Sequence, residues 1–185
     1  MLQVYDHFLE SYADLKNYTR ECDFKDEVNP KDGVTYPYIC KDIPESVSHE
    51  VFDKLGQFKG SALIEPVLFL RMSPKDVQVP HIAHTDAVMG QYSFMLYLNE
   101  KQGSGTTFLR HIMTGIAYQP VLESFIDIVN ADMNKKLAWA PYQHIESAEN
   151  RAVIFDANCI HCAQPIGGFG QDQTDARIVL TGFFS

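Results

Sequence analysis

The sequence predicts a mainly β fold with flanking helices. Apolar stretches of strand length dominate the chain from residue 62 onward, and Gly, Pro, Asn or charged residues separate most of them. The predicted strands are residues 63–72, 81–87, 92–99, 105–111, 142–148, 151–156, 160–165 and 177–184. Earlier in the chain, apolar residues recur at helical spacing instead. Many short strands at such spacing are typical of a sandwich or barrel.

Two helices are predicted before the strands begin. The first covers residues 5–20, where apolar and aromatic residues recur near helical spacing. The second lies between Pro44 and Gly56, because proline favours the start of a helix and glycine its end. The turn-forming residues of 29–38 predict a loop between the two helices. We expect both helices to cover one face of the sheet.

Residues 112–141 interrupt the strands between the fourth and the fifth. Within this insertion, residues 120–137 predict a helix whose apolar residues form one stripe. The stripe consists of Leu122, Phe125, Ile126, Val129 and Met133. Packing on the sheet is the simplest interpretation, and a lid or a dimer contact is the alternative.

The composition bounds the class of protein. The chain has 185 residues, which suit one domain over 1–185, with helical support from 1–61 and a β core from 62–185. Its formal net charge of −9 argues against nucleic acid as a partner. No apolar run approaches the roughly 20 residues of a membrane span, and no secretory signal is recognisable. We therefore expect a soluble, cytoplasmic protein that does not bind membranes.

The chain contains four cysteines: Cys22, Cys40, Cys159 and Cys162. Cys159 and Cys162 have the spacing of half a zinc site, but no second ligand pair at similar spacing accompanies them. Without a secretory signal, disulfides are not expected either. Free and mostly buried thiols are predicted.

The segment His84-Thr85-Asp86 is the first part of a candidate metal site. Side chains alternate along a strand, so His84 and Asp86 would point to the same side. His161 on a later strand is the candidate third ligand. Two imidazoles and one carboxylate form the facial triad that holds non-haem Fe(II) and leaves coordination positions open. His81 is the main rival ligand, although alternation places it on the opposite face from His84.

A candidate anion-binding residue begins the last predicted strand. Arg177 suits a dicarboxylate, because its planar guanidinium can pair with a carboxylate through two hydrogen bonds. Alternation places Val179 and Thr181 on the same face as Arg177.

The strand at 92–99 has two unlike faces. Ser93, Met95 and Tyr97 form a mixed face, whereas the alternate residues are all bulky and apolar. We expect helices to cover the bulky face and the mixed face to line a cavity.

The ordered set of His84, Asp86, His161 and Arg177 resembles the Fe(II)/2-oxoglutarate-dependent dioxygenases, in particular their prolyl-hydroxylase-like branch. The resemblance covers residues 62–185 and implies a double-stranded β-helix, or jelly roll. It also implies the cofactors Fe(II), 2-oxoglutarate and O2, with hydroxylation of a substrate and release of succinate and CO2. Tyr97 lies in a Tyr-Leu-Asn sequence similar to the family strand whose tyrosine assists in binding 2-oxoglutarate. The resemblance implies that Arg177 binds the distal carboxylate of 2-oxoglutarate, supplemented by Tyr97 and Thr181. The further candidates for the co-substrate site are Ser93, Met95 and Val179.

The predicted function is therefore an oxidoreductase, an iron-dependent hydroxylase acting on a peptide or a small molecule, with some preference for a peptide or amino-acid side chain. The alternative is a cupin-like metal-binding jelly roll, either a non-oxidative enzyme or a sensor. Arg177 discriminates between them, because the alternative needs no guanidinium in its cavity. Among the other candidates, we expect hydrogen-bonded or surface roles for His111 and His144. Trp139 and Tyr142 could line an entrance, although packing is the simpler interpretation.

Overall fold

The computed structural model describes residues 1–31 and 33–185; Asp32, part of the predicted loop, lies outside the described residues. The strands are β1 (Leu2–Tyr5), β2 (Lys25–Val28), β3 (Thr35–Cys40), β4 (Val67–Ser73), β5 (Tyr92–Tyr97), β6 (Gly105–His111), β7 (Trp139–Glu146), β8 (Arg151–Asp156), β9 (His161–Gln164) and β10 (Arg177–Phe184). The helices are α1 (Tyr12–Tyr18), α2 (Glu45–Lys59) and α3 (Glu123–Asp132), and a 3-10 turn follows at Lys136–Ala138.

Two antiparallel sheets form a jelly-roll-like fold. The larger sheet has the strand order β1-β8-β5-β10-β4-β3-β2, and the smaller has the order β7-β6-β9. β10 lies near the middle of the larger sheet, between β5 and β4, and all of its residues are buried. A cluster that includes Tyr97, Val153 and Phe155 of the larger sheet packs against Phe108 of the smaller one. The mainly β prediction is confirmed.

The helices α1 and α2 cover the outer face of the larger sheet, as predicted. Val47, Val51 and Leu55 recur along one side of α2 and are buried in a core with the sheet residues Phe94 and Leu96. α2 is preceded by Pro44, as expected, but it continues one turn beyond Gly56. It ends at Gly60, whose φ of 74° is in the left-handed region that glycine adopts without strain.

The first 61 residues contribute strands as well as helices, which differs from the sequence prediction. The helix expected over residues 5–20 is only Tyr12–Tyr18, because β1 comes first and pairs with β8. The loop expected over 29–38 is in part β3, which pairs with β2 and β4. β2 was not predicted either. β1 takes its hydrogen bonds from the distant β8, so local patterning does not reveal it, whereas β2 and β3 pair with each other across a short connection.

The prediction of a strand over residues 81–87 is also wrong. This segment is irregular and joins the small sheet only through a bridge between His84 and His161. The helix expected over 120–137 is shorter, at Glu123–Asp132, and lies between β6 and β7. Among the described residues, no helix is long and apolar enough to cross a membrane.

Candidate metal centre and its cavity

A cavity of about 540 Å³ lies between the two sheets and holds the candidate site. Alternate residues of β4 and β10 line it, while the residues between them pack under the helices. The lining residues on these two strands are Val67, Phe69, Arg71, Ser73, Arg177, Val179, Thr181 and Phe183. Val129 and Met133, on α3 and directly after it, form part of the wall. The predicted alternation on β10 is confirmed.

His84, Asp86 and His161 converge at this cavity. One ligand atom from each lies within 4.8 Å of the others, in the sole group of this kind among the described residues. His161 comes from β9, and His84 is fixed beside it by two backbone hydrogen bonds, from the His84 N–H to the His161 carbonyl (3.1 Å) and from the His161 N–H to the His84 carbonyl (2.9 Å). The Asp86 N–H donates to the Ala157 carbonyl at 2.9 Å. Backbone hydrogen bonds therefore bring the three candidate ligands together although residues 81–87 do not form a strand.

The environment of the histidines leaves nitrogen lone pairs available. His161 Nδ1 lies 3.0 Å from the Cys159 carbonyl, which can only accept, so Nδ1 donates and the lone pair resides on Nε2. His161 Nε2 is buried without a hydrogen-bond partner and lies 3.4 Å from Asp86 Oδ2. Burial, with the neighbouring His161, lowers the pKa of His84 to about 3, so that imidazole is neutral. Neutral imidazole is the form that binds a metal.

Ser93 supports the carboxylate of this group. Its side chain is fully buried, and its hydroxyl donates to Asp86 Oδ2 at 2.8 Å. Ser93 was expected to line the cavity, but it is not among the lining residues. A hydrogen bond to a ligating carboxylate fixes its orientation, as outer partners of metal ligands commonly do.

Arg177 begins β10, is buried and lines the same cavity. Its Nε has no hydrogen-bond partner, and no carboxylate among the described residues is within ion-pair distance. Burial, together with the nearby cation Arg71, lowers the pKa of Arg177 to about 10, so it remains charged at neutral pH. Burying a cation without a counter-ion lowers the stability of the fold unless a bound anion pairs with it.

The other residues expected to bind the co-substrate fall into two groups. Met95, Val179 and Thr181 line the cavity. Tyr97 is buried behind the lining, and its hydroxyl donates to Thr106 Oγ1 at 2.7 Å. The Tyr97 hydroxyl is thus hydrogen-bonded within the protein, and Thr106 lines the cavity in its place.

The remaining candidates lie outside the ligand group. His111 is hydrogen-bonded to Thr114 and to Asp132, at 2.9 and 3.0 Å, and His144 is paired with Thr107 at 2.7 Å. His81 lines the cavity but is not part of the ligand group. All four cysteines are buried and free, as predicted.

Trp139 and Tyr142 differ in whether they line the cavity. Trp139, which was expected to pack, is buried and also lines the cavity. Tyr142 is partly exposed and is not a lining residue; the guanidinium of the exposed Arg110 lies 5.6 Å from the centre of its ring.

Sequence reasoning missed Arg71. It lies in the middle of β4, lines the cavity and is the second arginine there. The signal was available, because a lone charged residue interrupts the apolar run Val67-Leu-Phe-Leu-Arg-Met in the same way that Arg177 opens the last strand.

Solved structures with this fold include several hydroxylases and oxygenases. A prolyl-4-hydroxylase from Pseudomonas putida matches with a TM-score of 0.56 and 15% identity, over 99% of this chain and 91% of that chain. EvdO2 from Micromonospora carbonacea var. aurantiaca, complexed with 2-oxoglutarate, matches with a TM-score of 0.54 and 16% identity, over 100% and 86% of the two chains. A Trichoplax adhaerens prolyl hydroxylase in complex with a hypoxia inducible factor oxygen degradation domain peptide fragment matches with a TM-score of 0.54 and 12% identity, over 99% and 82%.

At these identities the likeness shows that the chain has the fold of these enzymes. The chain belongs to a family of unknown function, DUF6445, whose model matches residues 1–184. No curated protein matches the sequence.

Proposed function

We propose that this protein is a non-haem Fe(II)- and 2-oxoglutarate-dependent oxygenase that hydroxylates a peptide or small-molecule substrate. One observation carries the proposal: a His-Asp-His group and an unpaired buried arginine line the same cavity. The fold shared with prolyl hydroxylases, and with EvdO2 in its complex with 2-oxoglutarate, supports it.

The residues fit Fe(II). His84, Asp86 and His161 would be its ligands, since two neutral imidazoles and one carboxylate form the donor set of the facial triad. The buried and unpartnered Nε2 of His161 supports this assignment, because a buried polar atom without a partner calls for an explanation. Ser93 would hold Asp86 in place through its hydroxyl.

The cavity also fits 2-oxoglutarate. Arg177 would bind the carboxylate that is distant from the metal, and Thr181 lines the cavity four residues further along the same strand face. Tyr97 would act indirectly in this assignment, by orienting Thr106. When iron, 2-oxoglutarate and O2 are bound together, they supply the hydroxylation of a C–H bond with release of succinate and CO2.

Apolar side chains in and behind the cavity wall also have a part in this function. Phe155 and Phe108 flank His161 from behind the lining, with ring centroids 4.8 and 6.3 Å from the imidazole. Val179, Phe69 and Phe183, on β10 and β4, line the cavity itself. Such walls exclude water, which strengthens the charge interactions inside the cavity.

The test is an anaerobic titration of Fe(II) and 2-oxoglutarate into the apoprotein, followed by visible absorbance. We expect a weak charge-transfer band near ~500 nm that needs both additions, as for chelation at a facial triad. Asp86→Ala should abolish the band, whereas Arg110→Met, outside the cavity, should leave it unchanged. Tight Zn(II) binding without any band in the wild type would contradict the proposal and favour the cupin-like alternative.

A further inference from the structure

The cavity contains a second arginine that the proposed function leaves without a role. Arg71 lies on β4 opposite Val179 of β10, and Arg177 is two residues from Val179 on the same strand face. Diagonal neighbours of this kind on adjacent antiparallel strands are about 7–8 Å apart. The two guanidinium groups therefore belong to one wall of the cavity, each on its own strand.

Arg71 has no anionic partner within the described ranges 1–31 and 33–185. It forms no ion pair there, and its guanidinium carbon lies 5.5 Å from the centre of the Tyr36 ring. The accessible part of its side chain faces the cavity, where desolvation lowers the pKa of Arg71. Arg71 is thus a charge withdrawn from bulk water. The Tyr36 ring and the more distant charge of Asp86 favour it, but no carboxylate forms an ion pair with it, and Arg177 is likewise buried and unpaired.

The charge of the cavity is opposite to that of the whole protein. Its described lining holds four cationic side chains, Lys31, Lys41, Arg71 and Arg177, against two carboxylates, Glu27 and Asp86, a formal balance of +2. The chain as a whole carries −9. A divalent metal would raise the positive charge further, and one 2-oxoglutarate dianion would offset only that addition. The cavity therefore favours a second anion.

We infer that Arg71 binds a carboxylate of the substrate, and that the substrate is a free amino acid or a comparable small acid. This inference rests on the proposed function, because it assigns Arg177 to 2-oxoglutarate. Arginine pairs with a carboxylate through two parallel hydrogen bonds, which fixes the orientation of the acid. A residue inside a peptide chain has no free α-carboxylate, so Arg71 would discriminate against it.

The size and lining of the cavity agree with this assignment. Its volume of about 540 Å³ lies within the range of pockets that hold small molecules. Arg71 pairs in register with Ile39 of β3 and with Val179 of β10, so it is held within the sheet and away from its edge. A small acid placed here would have its charged end at β4, in the same cavity that His84, Asp86 and His161 line.

The experiment measures binding in the absence of turnover. The wild-type protein is loaded with Mn(II), with and without saturating 2-oxoglutarate, and titrated with the twenty free L-amino acids and with the carboxamide of each. Trp139, which lines the cavity and is the sole tryptophan of the chain, reports binding by fluorescence. We expect at least one free acid to bind about tenfold or more tightly than its carboxamide, as expected for loss of a charge-assisted pair.

Three variants test the role of Arg71. Arg71→Met should remove the preference for acid over carboxamide, and Arg71→Lys should retain part of it. Arg110→Met is the matched control, since Arg110 also lies over a tyrosine ring but is outside the cavity. Thermal unfolding checks that each variant is folded.

Failure of this inference is distinguishable from failure of the proposed function. If no free acid binds the wild type, or if carboxamides bind as well as acids, the inference is wrong. It is also wrong if Arg71→Met weakens 2-oxoglutarate binding as much as Arg177→Met does, because both arginines would then hold the co-substrate. A wild type that binds an acid through Arg71 but does not bind 2-oxoglutarate would instead contradict the proposed function.

Discussion

The two faces of the larger sheet are both buried, yet they are built from different chemistry. On the helix side, Ile178, Leu180 and Phe184 of β10 join an apolar core with α1 and α2. On the cavity side, the same strand presents Arg177 and Thr181. Among the described residues, all four buried side-chain nitrogen or oxygen atoms without a hydrogen-bond partner belong to residues that line the cavity.

This difference separates stability from function along a single strand. Apolar burial on the helix side stabilises the fold in proportion to the area removed from water. Unpaired polar atoms on the cavity side lower the stability of the fold. A ligand that forms hydrogen bonds or ion pairs with them restores that stability. Substitutions on the two faces should therefore affect different measurements.

The largest expected effect is on metal binding. Asp86→Ala removes the carboxylate from the candidate triad and should weaken Mn(II) binding by more than the roughly 10–100-fold that outer partners of a site contribute. The variant should remain folded, because Asp86 belongs to no apolar cluster. Calorimetric titration gives the affinity, and an affinity within tenfold of wild type would refute the ligand assignment.

The next effect concerns stability. Leu180→Ala should lower the free energy of unfolding by about 2–5 kcal/mol, because Leu180 is fully buried beneath the helices. Val179→Ala, on the adjacent residue, is the control and should cost about 1–2 kcal/mol, since it removes two methyl groups beside a cavity. Denaturant unfolding measures both, and equal losses would show that the two faces are equally important for stability.

The third effect is on the co-substrate. Arg177→Lys should weaken 2-oxoglutarate binding by about 2 kcal/mol, roughly thirtyfold, because a planar double donor is replaced by a single ammonium group. The affinity is measured anaerobically with Mn(II), and Arg110→Lys provides the control on an exposed arginine. Unchanged affinity would remove Arg177 from the co-substrate site.

The smallest effect tests the support of the metal ligand. Ser93→Ala deletes the hydroxyl that donates to Asp86 and should weaken Mn(II) binding about tenfold, with the 2-oxoglutarate affinity of the metal-loaded protein unchanged. Titrating Mn(II) into the Ser93→Ala and Asp86→Ala variants in parallel ranks the two losses of affinity. A Ser93→Ala affinity equal to wild type would mean that Asp86 is held without it.

Much of the cavity side could be predicted from sequence, because it depends on alternation within strands. The faces of β5 and β10 follow from Phe94 and Leu96 on one side and Arg177 and Thr181 on the other. Alternation assigns a face but does not show which side chain is hidden by another. Ser93 and Tyr97 were therefore expected at the cavity, whereas they support Asp86 and Thr106 from behind.

The strands that the sequence did not reveal have two different causes. β1 depends on pairing with the distant β8. β3 contains Pro37, which ordinarily argues against a strand, and it is tolerated because Pro37 lies where the pairing with β2 is irregular and outside the residues that pair with β4. Alternation along a strand was the reason to expect His84 and Asp86 on the same side, but this segment is not a strand, and a backbone bridge to His161 holds His84 instead.

The backbone bridge between His84 and His161 has a consequence for which metal the proposed site would hold. The positions of these two residues are fixed by main-chain hydrogen bonds without any ion, so chelators should remove a bound metal without unfolding the chain. A preformed site of mixed nitrogen and oxygen donors binds divalent ions of the first transition row in the Irving–Williams order, in which Ni(II), Cu(II) and Zn(II) exceed Fe(II). If the proposed site binds metal, the ion recovered with the protein should therefore reflect metal supply during its synthesis and purification.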